Sequence, residues 1–93
     1  MYSIIFSEKA EKFINKLNDS ERERIIRALE RIRIRPKVFL EKLVGEEGYK
    51  FRAGDYRIFL DINQNDLLIS VIKIGYRKNV YKHWLIKELR VIG

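Results

Sequence analysis

The chain has 93 residues, enough for one domain with a modest core. It is 46% hydrophobic and 35% charged, which excludes a disordered tract, and its net charge of +7 favours an anionic partner such as nucleic acid, an acidic protein or a lipid surface. It has no cysteine, which excludes disulfides and thiolate metal sites, and no apolar run nears the roughly 18 residues of a membrane span.

The N-terminal MYSIIFSEKAEKF lacks a basic segment followed by a long apolar one. No signal peptide is expected, and a cytoplasmic location is the default. Residues 2–6, YSIIF, are short, apolar and β-branched, and predict a first strand. Ser7 offers an N-cap. Ala10, Phe13, Ile14 and Leu17 then repeat as the apolar stripe of an amphipathic helix. NDS at 18–20 predicts a turn. Ser20 and Glu23 form an S-x-x-E capping box, so a second helix is expected to start at Ser20. Its apolar face is Ile25, Leu29 and Ile32, widened by Ile26 and Ala28, and it should end near Arg35 because Pro36 follows. The short link predicts a helical hairpin.

KVFLEKLVGEEG is a connector with room for one helical turn. Tyr49 to Ala53 predicts a strand, Gly54-Asp55 a turn, Tyr56 to Ile62 a second strand and NQND at 63–66 a loop. Leu67 to Ile74 predicts a long strand, expected to be central because both its faces are apolar. Val80, Trp84, Leu85 and Leu89 suggest a short C-terminal helix. The expected fold is α+β over residues 1–93: an N-terminal strand, a helical hairpin, a three-stranded antiparallel meander completing one sheet, and a C-terminal helix.

Catalytic motifs of the usual kinds are absent. The lone histidine, His83, reads as a surface or packing residue, and Asp55, Asp61 and Asp66 lie in or near turns. No metal-ligand spacing and no glycine-rich phosphate loop occurs, so neither a metal nor a cofactor is expected. Cations remain. Arg24, Arg27, Arg31 and Arg35 fall within a narrow helical sector at about 100° per residue. This stripe reads either as a solvated face with Glu23–Arg27 and Glu30–Arg33 pairs, or as a phosphate-backbone contact in which arginine offers a bidentate fork.

A second group lies on the strands. By alternation Lys50 and Arg52 share one face, with Tyr49, Phe51 and Ala53 on the other. On the next strand Arg57 and Phe59 oppose Tyr56, Ile58, Leu60 and Ile62. Arg77 follows the long strand after Gly75, with Lys73 nearby. Clustered cations without an interleaved carboxylate repel one another, and an anion would relieve the cost. A plain wet sheet face is the other reading.

The run KLVGEEGYKFRAGDYRIFLDI, with ISVIKIGYRKNVY after the loop, resembles the RelE/ParE superfamily of toxins. The matching positions are Leu43, Gly45, Tyr49, Lys50, Arg52, Gly54, Asp55, Tyr56, Arg57, Gly75, Arg77, Val80 and Tyr81, and SEKAEKFINKL fits the family's first helix. The resemblance spans residues 2 to about 82 and implies a single RelE-like toxin domain. RelE-like members cleave messenger RNA in the ribosomal A site; ParE-like members inhibit DNA gyrase and lack the basic catalytic set.

The resemblance therefore implies a ribosome-dependent, metal-independent endoribonuclease in which the RNA's 2′-OH attacks the adjacent phosphate. It also implies Lys50, Arg52, Arg57, Arg77 and Tyr81 as the catalytic set. Lys50 would be the general base, Arg52 and Arg57 would stabilise the phosphorane, Arg77 would hold the phosphate or help the leaving oxygen, and Tyr81 would stack on or orient a base. Arg24, Arg27, Arg31, Arg35 and Lys73 would contact ribosomal RNA or the messenger. The implied partners are a RelB-type antitoxin, the ribosome and mRNA. Arg52 stands where RelE has a lysine, and arginine is a poor proton acceptor because its pKa stays above about 12. The segment between Arg77 and Tyr81 is shorter than in the best-known RelE enzymes, and Tyr76 stands where many members have histidine. A ParE-like gyrase inhibitor and a non-catalytic basic RNA-binding module are the alternatives.

Overall fold

The computed structural model describes residues 1–76. Its elements in order are β1 (Ser3–Phe6), α1 (Glu8–Lys16), α2 (Asp19–Ile32), α3 (Pro36–Phe39), β2 (Glu41–Lys42), β3 (Tyr49–Ala53), β4 (Tyr56–Asn63) and β5 (Leu68–Tyr76). The five strands form one sheet in the order β1-β5-β4-β3-β2. β1 runs parallel to β5; the other neighbours are antiparallel. The α+β fold expected from sequence is present, with one strand more than foreseen. The C-terminal helix, with Val80, His83, Trp84, Leu85 and Leu89, lies outside the described residues.

Helix boundaries follow local chemistry. Ser7 caps α1, its hydroxyl accepting the Ala10 N–H at 3.1 Å. Leu17 and Asn18 alone separate α1 from α2. The cap of α2 is Asn18 rather than Ser20: Asn18 Oδ1 accepts the Glu21 N–H at 2.8 Å, so the helix opens one residue early, at Asp19. Glu23, the other half of the expected box, pairs with Arg27 instead. Arg22 fastens the junction, donating to the carbonyls of Ile14, Asn15 and Leu17 at 3.2, 3.4 and 2.7 Å. A cation there meets the partial negative charge at the end of α1. Pro36 ends nothing directly: α2 closes at Ile32, and Pro36 is the first residue of α3, where its missing N–H is harmless.

The helices cover one face of the sheet. Ala10, Ile14 and Leu17 of the α1 stripe and Ile25, Ala28, Leu29 and Ile32 of α2 join Ala53, Tyr56, Ile58, Leu60, Ile69, Val71 and Ile74 in one core. Seven of the large side chains are sealed from solvent: Ile25, Leu29, Ile32, Ile58, Leu60, Ile69 and Val71. Each contributes about 1.5–3 kcal/mol by leaving water. Ile26 falls outside the stripe and is exposed.

Two hairpins set the register. Gly54 alone has positive φ in the β3–β4 turn (+60°), the sign pattern of a type II′ turn. In the β4–β5 loop Asn63 Oδ1 accepts the Asp66 N–H at 3.0 Å, and Leu67 adopts φ +50°. That left-handed residue ends the loop, so β5 begins at Leu68 rather than Leu67. β5 lies inside the sheet, but the middle strand is β4. On β5 the inward Ile69, Val71 and Ile74 are buried, whereas outward Ile72 is 48% exposed.

Candidate functional site

Cross-strand register assembles the strand cations. Arg52 lies opposite Arg57, and Arg57 opposite Gly75. In the next row Glu41 pairs with Lys50, Lys50 with Phe59, and Phe59 with Lys73. Directly opposed residues share a face, with Cβ atoms about 4.5–5.5 Å apart. Lys50, Arg52, Arg57 and Lys73 therefore form a patch of two rows across β3, β4 and β5, around Phe59, on the face away from the helices. Arg57, Phe59, Lys73 and Lys50 are half-buried and Arg52 is exposed.

Lys73 reaches this face through a β-bulge. Leu60 pairs with Val71 but Phe59 pairs with Lys73, leaving Ile72 as an extra residue on β5. Simple alternation from Ile69 and Val71 would turn Lys73 inward; the bulge reverses the parity, so Ile74 enters the core and Lys73 faces out. Ser7 pins the irregularity. Its N–H donates to the Val71 carbonyl at 2.9 Å, and its hydroxyl donates to the Ile72 carbonyl while accepting from Ala10. The signal in the sequence is the switch of apolar parity within SVIKI, from Val71 to Ile72 and Ile74.

A carboxylate does interleave. Glu41 Oε2 stands 3.7 Å from Lys50 Nζ. It went unforeseen because β2, which carries it, is too short to show a strand pattern. Asp61, opposite Ser70, also lies on this face, one row further from the turn. Among the described residues no ion pair forms to Arg52, Arg57 or Lys73. Two arginines facing each other repel, and Gly75 puts no side chain beside Arg57 on the β5 side. An oxyanion entering there meets guanidinium groups able to make bidentate hydrogen bonds.

The helix stripe is dispersed by comparison. Arg24, Arg27 and Arg31 are exposed on α2, whereas Arg35 sits beyond it, at the residue preceding α3. Arg27 is paired with Glu23. Only Arg24 approaches the sheet cations: its Cδ and Nη1 lie 3.2 and 3.4 Å from where a Cβ on Gly54 would stand. Arg52 Nε is 3.5 Å from the Gly54 carbonyl, so the two side chains converge on the β3–β4 turn. A side chain at residue 54 would crowd Arg24, which would have to shift by a few tenths of an ångström, and would strain the backbone at positive φ.

Tyr56 and Tyr76 lie opposite each other on the inner face, 5.2 Å between ring centroids, and each meets Phe13 of α1 edge-on, at 6.0 and 5.5 Å. Burial pushes the Tyr56 phenol well above its ordinary range, and the Glu21 carboxylate adds to the shift. The trio anchors the end of β5 immediately before Arg77. Arg77 and Tyr81 themselves lie outside the described residues. No group of three or more His, Cys, Asp or Glu side chains forms a metal-binding set among the described residues, and no helix there is long and apolar enough to cross a membrane.

Comparison with solved structures gives the same architecture. The isolated RelE toxin of Escherichia coli matches at TM-score 0.72 and 26% identity, covering 94% of this chain and 98% of that one. The RelBE2 toxin–antitoxin complex of Mycobacterium tuberculosis matches at TM-score 0.74 and 19% identity, covering 82% and 98%. The archaeal RelE–RelB complex of Pyrococcus horikoshii matches at TM-score 0.67 and 22% identity, covering 82% and 94%. At 19% and 22% identity the likeness concerns the fold alone. No curated protein sequence matches the chain. The family model of the ParE toxin of the type II toxin-antitoxin system, parDE, matches residues 4–81. With that span of sequence and this sheet, the chain belongs to the RelE/ParE superfamily of type II toxins.

Proposed function

We propose that this toxin is a ribosome-dependent endoribonuclease that cleaves messenger RNA in the A site without a metal. The observation that carries the reading is the outer-face patch of Lys50, Arg52, Arg57 and Lys73, in which Arg52 and Arg57 oppose each other without a carboxylate between them. Such a patch suits a group that gains negative charge during reaction, and preorganised donors are worth most at that point.

In the proposed reaction the 2′ oxygen bonds to the adjacent phosphorus and the bond to the 5′ oxygen breaks. The products are a cyclic phosphate and a free 5′-OH. Lys50 takes the 2′-OH proton as general base, and the leaving oxygen gains a proton from solvent. Arg52 and Arg57 stabilise the phosphorane. Arg77 holds the phosphate and Tyr81 orients a base; both assignments rest on the sequence match. RNA entry displaces Glu41 from Lys50 and leaves the amine beside the 2′-OH. The ribosome supplies in-line positioning, which can be worth several kcal/mol, and exposed Arg24, Arg27, Arg31 and Arg35 meet ribosomal RNA. The toxin acts in the cytoplasm as one domain over residues 1–93.

The proposed partner is an acidic, partly disordered antitoxin of RelB type that folds on binding. The solved RelB–RelE complexes that share this fold support it. A pull-down with the neighbouring gene's product should capture the toxin, and failure to bind counts against this partner.

The test of activity is to add the protein to translating ribosomes and map messenger ends by primer extension. Codon-phased cuts are expected, and their loss in Arg77→Ala together with Arg57→Ala assigns the site. A second reading is favoured by the matched family model, which is described for ParE toxins of parDE systems: an interaction protein that inhibits DNA gyrase. Inhibited supercoiling with intact messengers would establish it. Binding to ribosomes or RNA with neither effect would leave a basic RNA-binding module without chemistry.

A further inference from the structure

The cationic patch has an aromatic centre that charge chemistry leaves unused. Phe59 lies between Lys50 of β3 and Lys73 of β5 in one cross-strand row. Large apolar residues on the other face of β4, Tyr56, Ile58, Leu60 and Ile62, belong to the core or pack against it. Among the described residues Phe59 does neither, although it is half-buried. It also has no aromatic neighbour among the described residues. A phenylalanine on the wet face of a sheet, bracketed by cations, is poorly explained by packing.

We infer that Phe59 is a stacking platform for one nucleobase of a single-stranded RNA, whose flanking phosphates rest on Lys50 and Lys73. The inference rests on the nucleic-acid reading of this face and names the nucleotide contact within it. Base edges and phosphates have different requirements, and the row supplies both: a flat apolar face for the base and a lysine on either side for the backbone. Neighbouring strands are about 4.8 Å apart, so both lysines reach a strand of RNA laid across the ring. Charge complementarity selects the ligand, because four cations face out here against Glu41 and Asp61. The bulge at Ile72 is what completes the row, since it turns Lys73 to this side. Stacking is indifferent to base identity, so Phe59 adds affinity and orientation without dictating a codon.

The test uses the full chain and a fluorescent ten-nucleotide RNA, 2′-O-methylated throughout so that it cannot be cut. Anisotropy is measured for the unaltered protein, Phe59→Leu, Phe59→Tyr and Lys73→Ala over a range of salt concentrations. Phe59→Leu should weaken binding about 5- to 100-fold with the salt slope unchanged, as expected for loss of one stacked base. Phe59→Tyr should stay within about threefold, since the ring is kept. Lys73→Ala should lower the slope of log K against log salt by about 0.7, one phosphate contact fewer. Binding by Phe59→Leu equal to that of the unaltered protein overturns the inference. So does loss of antitoxin binding alone. If Phe59→Leu does not fold, the Phe59 ring protons of the unaltered protein decide: an upfield NMR shift on adding RNA supports stacking, and no shift overturns it. Phe59-dependent RNA binding with no cleavage on ribosomes would remove the nuclease reading and leave the platform. Cleavage with RNA binding indifferent to Phe59 would do the reverse.

Discussion

α2 and the outer face of the sheet both look basic in the sequence, yet they spend their charge differently. α2 carries four arginines and four carboxylates within Asp19–Ile32. Arg22 pairs with Asp19 and grips the end of α1, and Arg27 pairs with Glu23. The sheet face carries Lys50, Arg52, Arg57 and Lys73, of which only Lys50 has an acidic partner among the described residues. Arg22 and Arg27 in the first region have structural partners; Arg52 and Arg57 in the second face each other with no ion pair among the described residues. The two regions differ in how their cations are partnered rather than in how many they carry.

The sharpest way to break that contrast is to remove one cation from each region. Arg57→Ala should cut messenger cleavage about 10²-fold or more, by analogy with the loss of one preorganised donor, and primer extension on translating ribosomes measures it. Its melting temperature should hold or rise, because the facing Arg52 loses a like-charged neighbour. Arg22→Ala should behave oppositely. It leaves the α1 carbonyls without their charged donor and should destabilise the fold by roughly 1.5–3 kcal/mol in urea unfolding, with cleavage retained below the transition. Intact cleavage in Arg57→Ala, or unchanged stability in Arg22→Ala, would erase the distinction.

The same contrast marks what could be read from sequence. Periodicity located β1, both long helices, β3, β4 and β5 to within a residue or two at most boundaries, because apolar stripes and turn residues are local. Alternation also put Lys50, Arg52 and Arg57 on one face, as the register bears out. Three features escaped. Asn18 and Ser20 both suit an N-cap, and only the folded loop shows that Asn18 reaches Glu21. β2 is a strand only through its pairing with β3, so Glu41 gave no hint of its place beside Lys50. The bulge at Ile72 depends on a carbonyl held by Ser7, distant in sequence, although the parity switch in SVIKI records it.

A smaller effect concerns the seam between the two regions. Tyr56 lies on β4 against Phe13 of α1, with Glu21 of α2 beside it. Its phenol is shifted up chiefly by burial, so the folded state holds the proton after the unfolded chain has released it. Stability from this group is therefore fully present below the unfolded pKa of about 10 and declines as pH rises above it. Tyr56→Phe should flatten the alkaline fall in unfolding free energy, measured by denaturation between pH 8 and 11. An equally steep fall in the variant would mean that another group carries it.

The smallest expected effect is at Arg27, where the helix stripe is most plainly neutralised. Its side chain is exposed and held by Glu23 four residues earlier, a pair worth about 0.3–0.5 kcal/mol on a helix surface. Arg27→Ala should thus barely move the melting curve, since alanine is itself a good helix former. Its value is in the ribosome assay. If the stripe contacts ribosomal RNA, the variant should need more ribosomes for half-maximal cleavage, and the gap should narrow as salt rises. The maximal rate should not change, because no atom of Arg27 belongs to the outer-face patch. An unchanged ribosome dependence would make Arg27 a solvated partner of Glu23. The proposed ribosome contact would then fall to Arg24, Arg31 and Arg35, which have no ion pair among the described residues.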